Sequence, residues 1–139
     1  MSKLAAPVAI IAAIMLTGTG GSDRTTLRPF TGTWIGHTRG LTLDRTGLAK
    51  EFISDGCCDL VIRLTARLSH PRRAGGAIVA TATVVRARIY DRSAFRSGHA
   101  PPRVGERGRF TLRRGIITER LTGTTYCDAR TSRLGSCGA

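Results

Sequence analysis

Four cysteines, Cys57, Cys58, Cys127 and Cys137, carry the chemistry most constrained by spacing: one adjacent pair in mid-chain and two near the C-terminus. Zinc sites are usually built from CxxC-type knuckles, and adjacent cysteines serve one metal poorly. No metal site is therefore assigned, and the even set reads as a disulfide framework. If one strand runs through Cys57 and Cys58, their side chains point to opposite faces. Two separate bridges, from the pair to Cys127 and Cys137, are then expected. Loops of roughly 70 residues closed in this way would contribute on the order of 4 kcal/mol each in the chain-entropy model. A Cys57–Cys58 bridge beside a Cys127–Cys137 bridge is the alternative.

The three histidines, His37, His70 and His99, fall at strand ends or in loops, without metal-ligand or triad spacing. The nine carboxylates show no paired spacing and mostly fall at turns or close to arginines. No G-x-S-x-G elbow is present. No catalytic residue and no cofactor are assigned, and a hydrolase without local signature is the third functional reading.

Charge is the larger signal. The formal net charge is +13, and every basic residue except Lys3 and Lys50 is arginine. Arginine binds phosphate and carboxylate through a planar fork that lysine lacks. Arg86 and Arg88 share a strand face with Tyr90, and Arg92, Arg96, Arg103 and Arg107 precede Arg109, Arg113 and Arg114. If Ala77–Tyr90 pairs with Arg109–Arg114, a positive band forms at one end of the domain. Its candidate anion-binding residues are Arg86, Arg88, Arg109, Arg113 and Arg114. Stacking aromatics are scarce, so sequence-specific nucleic-acid recognition is not expected; nonspecific attraction to an anionic polymer is.

The elements that must position these groups are strands. Cys58, Leu60, Ile62, Leu64, Ala66 and Leu68 alternate with polar residues, with Val61 the exception, which predicts a long half-buried strand. His70 to Gly76 reads as the loop that closes it. Ala77 to Tyr90 is a second long strand, with Val79, Val85 and Ile89 on one face. Leu41–Leu43, Leu48–Ile53, Phe110–Leu112, Ile116–Leu121 and Thr124–Cys127 supply further short runs, separated by turn signals such as Asp44 to Gly47. Asp91 to Pro102 is the longest irregular segment. Seven or eight strands with short turns and no helical window outside the leader predict an all-β domain. A small antiparallel up-and-down barrel is expected, with an open β-sandwich as the alternative.

Lys3 followed by the apolar stretch Leu4–Leu16 and small residues through Gly21 predicts a signal peptide over 1–21. The apolar stretch is too short to span a bilayer, so no membrane span is expected in the mature form. Residues 22–29 read as a short polar linker and 30–139 as a single β domain.

Phe30-Thr31-Gly32-Thr33-Trp34 opens the first strand. Its Gly-x-Trp is similar to the start of the calycins, the lipocalin- and avidin-like barrels. That resemblance implies a barrel in which Gly32 and Trp34 form a structural plug at one end. The apolar residues are mainly Leu, Ile, Val and Ala, and Trp34 is the single tryptophan, so neither a biotin-type cage nor a wide cavity is expected. The Phe30-x-Gly-x-Trp34 start, the central cysteine pair, Tyr126-Cys127 and the terminal Cys137-Gly138-Ala139 also resemble small secreted actinobacterial proteins of unknown function. The expected role is non-catalytic: a secreted or envelope-associated protein binding an anionic envelope polymer or a small apolar ligand. An exported inhibitor or structural protein acting through the Asp91–Pro102 loop is the second reading.

Overall fold

Each strand pairs antiparallel with the next and the eighth returns to the first, closing a barrel. The computed structural model describes residues 25–56, 58–95 and 99–137; the leader, Cys57, Arg96, Gly98 and the last two residues lie outside the described residues. The strands are β1 (Gly32–Gly36), β2 (Arg39–Leu43), β3 (Leu48–Asp55), β4 (Asp59–Ala74), β5 (Ala77–Ile89), β6 (Arg107–Arg113), β7 (Ile116–Glu119) and β8 (Thr125–Cys127). The all-β meander expected from the alternation is present, and every strand has a paired neighbour on each side.

A 3-10 turn, Arg28–Phe30, covers one end. Phe30 is fully buried, and the Trp34 indole N–H donates to its carbonyl oxygen at 2.7 Å. Trp34 belongs to the core beneath this turn. Gly32 is exposed with φ +133°, so it supplies a backbone conformation rather than bulk. Leu27 packs against the core as well, so the packed structure begins within the segment read as a linker.

Three register shifts explain where the simple alternation departs from the fold. Between β3 and β4, Ile53 pairs with Ile62 and Ser54 with Leu60, which leaves Val61 as an extra residue. Such a bulge changes the phase of the strand. Ile62, Leu64, Ala66 and Leu68 are buried as expected, with Val61 beside them. Cys58 is exposed and lies with Leu60, Phe52 and Arg63 along an outer groove. The expected core position of Cys58 is thereby corrected. Between β4 and β5, Thr65 pairs with Arg86 and Ala66 with Val84, so Val85 is extra. Ala80, Ala82 and Val84 are buried before the shift, whereas Ala87 and Ile89 pack against the core after it. Val79 is only half-buried and Val85 is exposed, while Ile89 packs against the core, so the shift breaks the shared face expected for these three.

The third shift lies between Ser69 and Arg72. His70 and Pro71 bulge out, His70 with φ +51°, and a proline without an N–H is tolerated there because the ladder is interrupted. β4 therefore continues to Ala74, and only Gly75-Gly76 form the turn, at φ +55° and +76°. Two positive φ values are what a tight two-residue hairpin requires. The expected His70–Gly76 loop is in fact bulge, strand and turn.

Cys127 and Cys137 form a disulfide with each other, ten residues apart. Cys58 is also disulfide-bonded, but to neither of them. The expected staple from the tail to the long strand is not what forms, because β8 carries Cys127 to β1 and β7, away from Cys58. Bonded to each other, Cys127 and Cys137 are also withdrawn from any four-thiolate zinc site. The bridge closes a loop containing a short helix, α1 (Ala129–Arg133), which the alternation did not predict. Asp128 caps it, accepting from the Thr131 N–H at 2.7 Å.

Candidate functional site

The outer wall of β4, β5 and β6 holds a cleft of about 440 Å³. Arg72, Arg107, Arg109 and Arg120 line it, together with His70. The four arginines come from three stretches of the chain. Arg107 and Arg109 alternate on the wet face of β6, whose inward residue Phe110 is buried. Arg72 is presented by the β4 extension beyond the Pro71 bulge. Arg120 follows β7, with its backbone N–H donating to the Arg109 carbonyl at 3.0 Å. None of the four is paired with a carboxylate among the described residues. Four unpaired guanidinium groups around one concavity suit a multivalent anion.

Of the five arginines proposed from sequence, Arg109 alone lines this cleft. The predicted pairing of β5 with β6 does form, through Ile78–Thr83 and Arg107–Leu112. Its antiparallel direction disperses the expected band. Arg113 and Arg114 sit at the β6–β7 turn, whereas Arg86 and Arg88 lie beyond Thr83, where β6 no longer reaches. Arg88 instead stacks on Tyr90, 5.0 Å from the ring centroid. Arg72 and Arg120 join the cleft through pairing across the sheet, which sequence proximity does not show.

A second constellation lies inside the barrel. Glu51 on β3 and Glu119 at the end of β7 are both buried, 4% and 0% exposed. The Glu119 carboxylate organises the β7–β8 connection, accepting from the backbone N–H of Leu121 at 2.6 Å and of Thr124 at 2.8 Å. It also accepts from the Thr122 N–H at 3.0 Å and from the Thr124 hydroxyl at 2.6 Å. The Thr122 hydroxyl donates to it too. Glu51 Oε1 accepts from the Tyr126 hydroxyl and lies 3.0 Å from the Thr122 hydroxyl and 3.1 Å from that of Thr124. Glu51 Oε2 is buried with no hydrogen-bond partner.

Burial, and then the neighbouring Glu119 charge, push the Glu51 carboxyl up to about 7. The Tyr126 phenol is raised well above its ordinary value by burial and by the charge and hydrogen bond of Glu51. Above this network, at the barrel mouth, a cleft of about 600 Å³ is lined by Ile53, Val61, Phe95, Asp55, Thr122 and Thr124, among others.

No family model, curated protein or solved structure matches this chain. Its chemistry must therefore be read from its own side chains.

The mouth cleft brings His99, Asp55 and Ser93 to one place. No hydrogen bond joins His99 to a carboxylate or a hydroxyl, and the Ser93 hydroxyl donates to Asp91 at 2.6 Å. The three do not assemble into a base-activated nucleophile. His37 is exposed in the β1–β2 turn, and His70 contacts Ser69 at the arginine cleft. Within the Asp91–Pro102 segment, Phe95 packs against the core and Pro102 is buried; residues 96–98 lie outside the described residues. The buried carboxylates were missed in sequence although a signal existed. Ala49, Glu51 and Ile53 share one phase, as do Ile117, Glu119 and Leu121, so each glutamate occupies an inward position.

Proposed function

We propose that this protein is a secreted, non-catalytic binder of an anionic envelope polymer, held at the cleft formed by Arg72, Arg107, Arg109 and Arg120. The observation that carries this reading is the convergence of four arginines on one concavity with no carboxylate partner among the described residues. An arginine whose charge is not neutralised within the fold is available to an outside anion. The net charge of +13 would add long-range attraction that falls with salt. The apolar leader Leu4–Leu16 and the Cys127–Cys137 disulfide support export to an oxidising compartment. The Gly32-Thr33-Trp34 start on an eight-stranded meander supports placing the chain among calycin-like secreted proteins, including those of actinobacteria.

The test is equilibrium binding of the mature protein to a polyglycerol-phosphate polymer and to a polyuronate between about 50 and 500 mM salt. Affinity that falls steeply with salt, and is lost on replacing the four arginines by serine, is expected. Binding that ignores salt, or that survives the fourfold replacement, would defeat the proposal. A matched replacement of Arg86, Arg88, Arg113 and Arg114 should retain most of the affinity at equal net charge. It separates the cleft from bulk charge.

A further inference from the structure

We propose that the barrel mouth is a second binding site, for a small organic cation: an amine carried on an apolar body, its ammonium directed at Glu51 through the Thr122–Thr124 floor. The cleft of about 600 Å³ lies within the range of small-molecule sites, and its walls are what such a ligand body needs. Ile53, Val61, Ala94 and Phe95 supply apolar surface, while Thr122 and Thr124 place hydroxyls at the floor. Those hydroxyls also touch the buried carboxyls below, so the polar floor and the carboxyl pair form one unit.

Counting hydrogens shows what the unit lacks. Tyr126, Thr122 and Thr124 offer one hydroxyl hydrogen each, and both threonines also lie within bonding distance of Glu119 Oε1. Glu119 additionally receives three backbone N–H donors. Glu51 receives none, and its Oε2 has no partner at all. A buried acceptor without a donor is unfavourable, and an ionised one more so. A ligand N–H supplies the missing donor, and its positive charge offsets two neighbouring carboxylates. A carboxylate or phosphate ligand would do the reverse.

The charged groups around the floor favour the same sign. Glu119 comes from β7, Asp55 from β3 and Asp59 from β4, where it pairs in register with Asp55. Asp91, in the β5–β6 connection, is engaged by Ser93, and the exposed His99 lines the cleft. Arg92 precedes the cleft residue Ser93 in that connection, and Arg39 of β2 is the cation beside Tyr126. Its Nε–H donates to the Thr125 carbonyl at 3.0 Å, and its guanidinium lies over the Tyr126 ring rather than pairing with Glu51. Binding converts protonated Glu51 and a free ammonium into a carboxylate–ammonium pair, and one proton leaves to solvent.

Calorimetry on the full mature protein with benzylamine, benzyl alcohol and benzoate tests this. Benzylamine should bind at pH 8 on the order of 10-fold or more tighter than at pH 5, following the Glu51 proton. At pH 6 its enthalpy should vary with the ionisation heat of the buffer, showing proton release. Benzyl alcohol and benzoate should not bind detectably. Glu51→Gln should abolish amine binding and Phe95→Ser should weaken it. Arg109→Ser, on the outer wall, should leave it unchanged, so failure here and failure at the polymer cleft are distinguishable. Should Glu51→Gln not fold, proton release from the wild type and the Thr122→Val variant decide. Equal affinity for amine and alcohol, equal affinity at pH 5 and pH 8, or no amine binding to the wild type overturns the proposal.

Discussion

Arg72, Arg107, Arg109 and Arg120 stand around an open cleft on the outer wall, whereas Glu51 and Glu119 share the Thr122 hydroxyl inside the barrel. The outer charges need no internal partner because water solvates them, and that leaves them free for a multivalent anion. The inner charges sit where desolvation dominates, so the fold surrounds them with hydroxyl and backbone donors, and Glu51 takes up a proton near neutrality. Two carboxylates of this strongly basic chain, Glu51 and Glu119, thus shape the interior, while the four arginines stay open to solvent.

The sharpest way to break this comparison is Glu119→Ala. Three backbone N–H groups of the β7–β8 connection would lose their acceptor. At roughly 1–3 kcal/mol for each unsatisfied buried group, urea unfolding should show a loss of about 4 kcal/mol. A loss below about 1 kcal/mol would mean the connection does not depend on this carboxylate.

Next comes pH. The Glu51 carboxyl is raised from 4.5 to about 7, so the folded protein holds a proton that the unfolded chain has released. Between these values the native state binds more protons, and stability falls as pH rises through this window. The decline should be on the order of 3 kcal/mol, complete above the folded value. Glu51→Gln should flatten it, as read by thermal unfolding at intervals between pH 4.5 and 8. An unchanged slope in the variant would assign the effect elsewhere.

Tyr126→Phe removes the hydroxyl that donates to Glu51, a bond that lowers the Glu51 value. The variant should lose about 1–2 kcal/mol. A carbon-detected carboxyl titration should show Glu51 taking up its proton at still higher pH than in the wild type. A shift downward would show that the phenol is not the principal donor.

The smallest structural effect belongs to the outer wall. Each of Arg72, Arg107, Arg109 and Arg120 replaced by serine should change stability by less than about 0.5 kcal/mol. The same replacements should each reduce the salt dependence of polyanion binding by about one unit of logarithmic slope. Substantial unfolding from any one of them would give that arginine a structural role and weaken the contrast between wall and interior.

How much of this could be read from the chain depends on whether a local rule suffices. The inward set Ile62, Leu64, Ala66 and Leu68 follows directly from period two, and the eight-stranded meander follows from short turns between such runs. The bulges at Val61 and Val85 are set by pairing across strands, which no local window contains. They moved Cys58 and Val79 off the core. The same limit hid the cleft: Arg109 was identifiable on its strand, but Arg72 and Arg120 reach it only through register. Glu51 and Glu119 differ, since their inward phase was readable from Ala49 and Ile53 and from Ile117 and Leu121. Their sequence neighbours carry no sign of a site; only their place in the alternation does. Asp128, a helix cap, was readable only once the chain leaving β8 was known to turn.

The barrel's closure rests on a narrow seam. Ile35 and Cys127 are the one register pair joining β1 to β8 among the described residues, supplemented by the Arg39 contact to the Thr125 carbonyl across Gly36. A Cβ on Gly36 would stand 2.9 Å from that carbonyl oxygen, so the glycine makes room for the crossing. Cys127 is also one half of the Cys127–Cys137 bridge, and α1, enclosed by it, packs beside β1. The bridge therefore works as a latch on topology. With the bridge in place, β1 and β8 are held together as neighbours in the closed barrel. Were the bridge reduced, opening of this seam would expose the β1 and β8 edges to pairing with a second copy.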